Sequence, residues 1–558
     1  DDIVVVGYGT QKKVNLTGSI ASISSEDLKN IPVATTGQML QGKLAGVRIT
    51  QPSGVPGSDM KFQIREAISL TAGSNPLYVI DGMPIPGSIS FLNPDEIENI
   101  TVLKDASSAS LYGSRASNGV ILINTKSGKA GRVQVHLNAY NGIQQIPKNR
   151  RLKMMNATQY AQFQKEIAES NGRTVNDAFQ NPEQYGKGTD WFDVITRTAP
   201  IQNYSLSING GTEKLRTSAT VGYFNQEGVV VNTGFNRISL RLNTAYNPID
   251  NLTIGFNIAP TQTFNTNFNT DGNPYGTENI IPSALITTPL ASPYNADGSL
   301  ALTATDPASF GNPNWLRVAK EKVYKGKNFQ LLSNAFIQYK VIKGLTAKSA
   351  LSVQMNNNSL FQFNPSTIGT LFSPPPHIPS GSDYNYQSYN WLNENTLQYE
   401  KRIDDHNFDA LIGFTSQHFK GEGDYIGASN YPDDLIQTVN AARQTFGSTD
   451  IQEWALLSFI ARINYSFKNK YLFTASFRRD GSSRFGLNNR WGNFPSLSAG
   501  WVVSQEDFWT ITPVSFFKLR ASYGITGNFE IGNYTHTSAI GSVFYPFGNT
   551  PLTWVIKI

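Results

Sequence analysis

The side chains able to do chemistry are few and scattered. His136, His377, His406, His418 and His536 are the only histidines, and no two of them stand at the spacing of zinc ligands, so no metal is expected. Asp404-Asp405 with Asp409 would be the candidate pair of catalytic carboxylates. A general acid and base must face each other across a cleft, whereas acids at a tight turn between strands are solvated and serve the turn. Gly481-Ser482-Ser483-Arg484 lacks the pattern of a nucleophile elbow, and Gly7-Tyr8-Gly9 does not continue into a phosphate-binding loop. Cysteine is absent, which excludes disulfides, thiolate metal sites and cysteine nucleophiles. Neither an enzyme nor a cofactor is expected.

What remains is a question of architecture. The 558 residues include 24 Tyr, 32 Phe and 47 Gly, with only 16% charged, a mix that suits β structure. The length implies more than one structural unit or one very large β unit. A net charge of +5 is spread along the chain, and the densest basic run, Lys148 to Lys153, is short; nucleic acid is not an expected partner. No apolar run approaches the roughly 18 residues of a spanning helix, so a membrane crossing here must be made by strands.

Residues 1 to 130 read as a small mixed α/β domain. Ile3 to Val6 is a short apolar strip. Thr36 to Leu44 reads as a helix, followed by strands at Val47 to Thr50, Lys61 to Arg65 and Leu77 to Ile80, the last stopped by Asp81-Gly82. Pro94 opens a short helix through Glu98, Ile100 to Leu103 is a strand, and a helix over Ser107 to Leu111 precedes the strand Val120 to Thr125.

From Val133 onward the period becomes two. Val133, Val135 and Leu137 alternate with Gln134 and His136. Leu206 and Ile208 alternate with serines, and Leu240 and Leu242 with Ser239, Arg241 and Asn243. Ile463 and Tyr465 alternate with Arg462 and Asn464, and Phe473 and Phe477 belong to a similar run that includes Arg478. Each such strand has one apolar and one polar face. We count about fourteen strands in which short links alternate with long ones, the habit of an outer-membrane barrel. The long links expected are Ile146 to Ala199, Asn265 to Lys325, Phe363 to Gln387 and Lys420 to Asp450. Aromatics beside the short turns, such as Tyr246, Tyr465, Phe467 and Tyr471, suit a lipid headgroup boundary.

Several segments resemble those of SusC/RagA-like TonB-dependent outer-membrane transporters. In the first domain these are Val4-Val5-Val6-Gly7-Tyr8-Gly9-Thr10-Gln11, Pro76-Leu77-Tyr78-Val79-Ile80-Asp81-Gly82, and Val102 to Ser107 with Tyr112 to Ile121. Later come Arg478 to Gly486, Trp491 to Ser496, and Leu519 to Gly524 with Thr526-Gly527-Asn528. One departure is Ile64-Arg65-Glu66-Ala67, where the family has glycine after arginine.

The resemblance implies a β-rich membrane protein: a small α/β plug domain inside an antiparallel transmembrane β-barrel. Residues 1–12 would be a TonB-box-like segment, 13–130 the plug and 131–558 the N-terminal part of the barrel. Such barrels close with about 22 strands, so a truncated wall is expected. Asp2, Ile3, Val4, Val5 and Val6 would bind TonB by strand addition, or form an ordinary first plug strand. Arg65 and Arg115 would lock the plug to acidic residues of the wall. The implied activity is import of an oligosaccharide or peptide across the Gram-negative outer membrane, with TonB and a SusD-like lipoprotein as partners and outer-membrane lipid around the barrel. A surface receptor or adhesin that binds without transport is the alternative, and a secreted glycan hydrolase a more distant one.

Overall fold

The computed structural model describes residues 3–5, 7, 9–28, 33, 35–66, 75–267, 270, 279–306, 312–369, 373–511, 513–534 and 536. Asp2 and Val6 of the expected TonB-binding strip lie outside the described residues. In the first domain the strands are β1 (Ile3–Val5), β2 (Thr10–Lys12), β3 (Ile20–Ser24), β4 (Val47–Thr50), β5 (Lys61–Ile64), β6 (Leu77–Ile80), β7 (Met83–Ile85), β8 (Ile97–Leu103) and β9 (Val120–Thr125). A five-stranded sheet of order β3-β8-β9-β6-β7 forms its centre, with β6 parallel to β9 and the other pairs antiparallel.

The apolar runs of this sheet follow from burial on both faces. Ile100, Val102, Val120, Ile121 and Ile123 are all inaccessible. Helix α1 (Thr36–Leu40) starts at a capping box between Thr35 and Gln38, and α2 (Ala106–Ala109) is capped by the Asp105 side chain. Asp81 and Gly82 both have positive φ, the geometry that a two-residue hairpin between β6 and β7 requires.

The rest of the chain builds one antiparallel wall of thirteen strands among the described residues, each paired with its neighbours in chain order. It begins with β10 (Gly131–Gln144), β11 (Ala199–Gly211), β12 (Leu215–Glu227), β13 (Gly234–Ile249) and β14 (Leu252–Asn265). A small pair, β15 (Thr303–Ala304) with β16 (Asn312–Pro313), sits in the next connection. The wall resumes with β17 (Val323–Ile342), β18 (Leu345–Asn364), β19 (Ser380–Ile403), β20 (His406–Ser429) and β21 (Gln444–Phe467), and continues through β22 (Tyr471–Ser482), β23 (Trp491–Trp501) and β24 (Leu519–Gly524).

Register decides which face meets what. Leu206, Val221 and Leu240 lie in one row and are 41%, 53% and 42% exposed, whereas the next row, Ser207, Thr220 and Arg241, is 7%, 2% and 4% exposed. The apolar row therefore faces outward, and the polar row faces inward onto the first domain. This arrangement is the reverse of a water-soluble sandwich and is the one a lipid solvent selects.

Two of the expected long links are shorter than the sequence suggested. Ser380 to Gln387 belongs to β19, Lys420 to Ser429 to β20, and Gln444 to Asp450 to β21. With 24 residues each, these strands run about 80 Å, far more than an apolar band of about 25 Å needs. The other two long links contain helices. They are α3 (Ala157–Ser170), α4 (Trp191–Ile195), α5 (Ile280–Ile286) and α6 (Trp315–Glu321), of which α4, α5 and α6 bring Trp191, Ile195, Ile280 and Trp315 into one buried cluster. The indole N–H of Trp315 donates to Thr287 Oγ1 at 2.9 Å and that of Trp191 to the Thr288 carbonyl at 3.1 Å.

The opposite end carries the short turns and their aromatics. The Phe467 and Tyr471 rings stack at 6.3 Å across the β21–β22 turn, and Phe408 packs 4.9 Å from Tyr465. Glu506, in the connection between β23 and β24, accepts from Trp501 Nε1 at 2.9 Å and Tyr471 Oη at 2.7 Å. Those bonds hold its carboxyl below the usual carboxylate range.

If the outward row faces hydrocarbon, Leu240→Arg in the full-length protein is expected to cost about 2 to 4 kcal/mol in equilibrium folding into phospholipid vesicles. An unchanged folding free energy would remove this row from the lipid surface.

Candidate functional site

The inner face of the wall is a sheet of hydroxyl, amide and guanidinium groups, and the plug is held by them. Among the described residues four inward arginines reach the plug and a fifth reaches the amino-terminal strip. Arg237 of β13 donates to the carbonyls of Ser90 at 3.4 Å and Leu92 at 3.3 Å. Two pleats along on the same face, Arg241 donates through Nε to Glu96 at 2.7 Å and through Nη1 to Asp81 at 3.2 Å. Arg462 of β21 donates to the Gly7 carbonyl at 3.0 Å, Arg478 of β22 to that of Leu111 at 2.6 Å, and Arg520 of β24 to that of Gly18 at 2.6 Å.

The Arg241 group joins a buried cation to two plug acids. Its side chain is 4% exposed and that of Glu96 1%. Asp81 also accepts from Asn257 of β14 at 2.8 Å and from the Thr125 hydroxyl at 2.7 Å. Asn243 of β13 donates to the Lys126 carbonyl at 2.6 Å. The hairpin turn Asp81-Gly82 is thus the hub where β6, β9 and two wall strands meet.

Hydroxyls supply a second kind of contact. Ser110 lies 3.0 Å from Ser476 and 2.9 Å from Ser496, Thr17 2.6 Å from Ser498, and Asn93 donates to Ser239 at 3.2 Å. Each such bond adds only about 0.5 to 1.5 kcal/mol net. A plug held this way is firmly placed yet separable in small steps.

The amino-terminal strip is folded back as a hairpin. Ile3, Val4 and Val5 pair with Lys12, Gln11 and Thr10, and the Gly7 carbonyl just beyond is gripped by Arg462, whose guanidinium also lies 3.8 Å from Asp409. Among the described residues β1 pairs with β2 alone.

The two arginines singled out in the sequence have different settings. Arg115 is buried, and its guanidinium donates to the side-chain amide of Gln417 on β20. Arg65 is exposed, with a positive φ of 60°; it lines a polar cleft of about 530 Å3 together with Asp105 and Arg520. Sequence reasoning placed Arg241, Arg462 and Arg478 on polar strand faces and gave them no part in holding the plug. The signal was present, since an arginine alternating with lipid-facing residues must point inward.

Asp404 and Asp405 occupy the tight β19–β20 turn, with Asp404 at φ 48°. No cluster of three metal-binding side chains occurs among the described residues.

Lys518 precedes β24 and donates to the Val14 carbonyl at 2.8 Å and to that of Leu16. Burial and the nearby Arg520 charge pull its pKa down to about 8.

Arg241→Gln strands the buried Glu96 carboxylate, and the expected loss in plug retention is about 3 to 5 kcal/mol, read as faster hydrogen exchange around Thr125 and Lys126. Protection equal to the unsubstituted protein would deny this pair its role. A second expectation concerns pH. Because the folded pKa of Lys518 lies below its ordinary 10.5, its contribution is complete only above that value and is lost as pH falls through about 8. Proteolytic release of residues 13–18 should therefore slow between pH 8 and 10.5, and Lys518→Met should flatten that profile.

Comparison with known proteins agrees with this construction. A family model described as the TonB-dependent Receptor Plug Domain matches residues 12–120. TonB-dependent receptor P39 of Formosa agariphila is 33% identical over 98% of this chain and 51% of its own length. TonB-dependent receptor SusC of Bacteroides thetaiotaomicron is 32% identical over 99% of this chain and 56% of its own. The chain thus spans about half the length of these curated relatives. A solved structure of the RagAB peptide importer in an 'open-open' state superposes with a TM-score of 0.84 at 30% identity, over 99% of this chain and 64% of that one. With a plug at its start, a lipid-facing wall around it and these likenesses along almost its whole length, the chain belongs to the SusC/RagA-like TonB-dependent receptors.

Proposed function

We propose that the chain is the plug and part of the wall of an importer in the Gram-negative outer membrane, which takes up an oligosaccharide or a peptide using energy delivered by TonB. The observation that carries this reading is the plug's attachment: a folded domain fills the hollow of a lipid-facing wall and is held there by many modest polar bonds. A permanent partition would be better served by apolar packing. In this reading residues 1–12 are the strip that TonB engages, 13–130 the plug and 131–558 wall.

Ile3, Val4 and Val5, flanked by Asp2 and Val6, would exchange their pairing with β2 for pairing with a strand of TonB. Main-chain hydrogen bonds carry tension in such an addition, so an apolar β-prone strip suffices. Pulling it loads the Gly7 carbonyl and Arg462 first. Arg115, through Gln417, and Arg65 beside Arg520 are proposed as further holding points along the path.

Cargo would approach from the side that bears α3 to α6 and the tall strands, where a SusD-like lipoprotein would cover it. The likeness to a structure described as a peptide importer favours peptides, and the amide-rich inner wall suits sugars equally well.

Deleting Asp1 to Val6 from the full-length protein tests the proposal. Uptake should fall to background while cargo binding at the cell surface persists. Uptake at the normal rate would overturn the import reading, and binding with no uptake in the unaltered protein would make it a capture receptor.

A further inference from the structure

Past Gly524, the last paired residue of β24, the chain leaves the wall and runs across its inner side. The Ile525 amide donates to the Pro495 carbonyl at 3.0 Å. The Gly527 amide then donates to Gly113 at 3.2 Å and the Phe529 amide to Ser114 at 2.8 Å, while the Ser117 amide donates back to Gly527 at 3.2 Å. Three main-chain bonds thus join a segment that follows the wall to the plug turn 113–117.

The segment is pinned from its far side. Phe529 is 5% exposed and packs edge-on against Trp454 of β21 at 5.5 Å. The Arg484 guanidinium sits 4.7 Å from the Phe529 ring and 5.0 Å from Trp454, and it donates to the Phe529 carbonyl at 3.1 Å. Further on, Tyr534 Oη accepts from the Glu453 amide at 3.0 Å.

The other flank of the same plug turn meets the wall directly. Asp480 accepts from the Ser114 amide at 2.8 Å and from its hydroxyl at 2.7 Å. Gly113 has φ 57°, and a Cβ there would lie 2.3 Å from Asp480 Oδ2, so the turn is shaped to the slot between strap and wall.

We propose that residues 525–531 form an inner strap that positions the plug turn 110–117, and with it Arg115, by pairing main chain to main chain. Phe529 is its anchor and Arg484 the group that holds the anchor in place. The inference concerns the resting plug and stands apart from whether cargo is imported.

Hydrogen exchange on the full-length protein in detergent tests it. Phe529→Ala is expected to speed exchange of the 113–117 amides about tenfold or more and leave β6 and β9 unchanged, and Phe529→Leu should restore most of the protection. Should Phe529→Ala fail to assemble, Arg484→Gln makes the same test from the half-buried wall turn after β22, outside the plug. Unchanged protection of 113–117 in either assembled variant would overturn the proposal, as would equal loss across the whole plug, which would mean general loosening.

Discussion

Hydrocarbon offers no hydrogen bonds, and this one constraint orders the whole molecule. A strand whose one face meets lipid must turn every polar side chain to the other face. Thirteen such strands therefore wrap a concave surface of serine, threonine, asparagine and arginine. A surface like that is not dry unless something polar fills it. The plug meets that need with an apolar centre of its own, around Ile100, Val120 and Ile123, and a polar skin matched to the wall. Two solvents, lipid outside and water within, thus explain why one chain carries two opposite rules for where its apolar residues go.

Much of this was legible in the residues. Period two from Val133 gave the wall, and apolar runs such as Leu77 to Ile80, stopped by Asp81-Gly82, gave the plug strands. The tall upper part of β21 was missed for a physical reason. Gln444 to Glu453 are exposed along their entire length, with water on both sides, and a strand with one solvent on both faces has no alternation to read. Helices α4 to α6 were missed because each has only five to seven residues, too few to show a helical period, and their cluster is assembled from four separate connections.

The holding contacts were half legible. That Arg241, Arg462 and Arg478 point inward follows from alternation, but their partners do not. Four of the five inward arginines, Arg237, Arg462, Arg478 and Arg520, reach main-chain carbonyls, those of Ser90 and Leu92, Gly7, Leu111 and Gly18, and a carbonyl carries no residue-type signal. Only the Arg241 pair with Glu96 and Asp81 leaves a trace in side-chain identity, and there the charges run opposite to expectation, with the cation on the wall and the acids on the plug.

That preference for carbonyl acceptors makes the grip lopsided with respect to mutation. Every residue offers the same acceptor, so the amino acids at positions 90 and 111 can change without removing a partner, whereas Gly7 and Gly18 are held by space, a Cβ there lying 2.9 Å from Tyr112 and 2.8 Å from Ser108. The donors have no such freedom: lysine cannot reproduce the forked geometry of a guanidinium, and a neutral residue abandons the carbonyl altogether. Change should therefore accumulate on the stopper more readily than on the arginines that clasp it, and a transplanted stopper of different sequence but similar backbone should still seat.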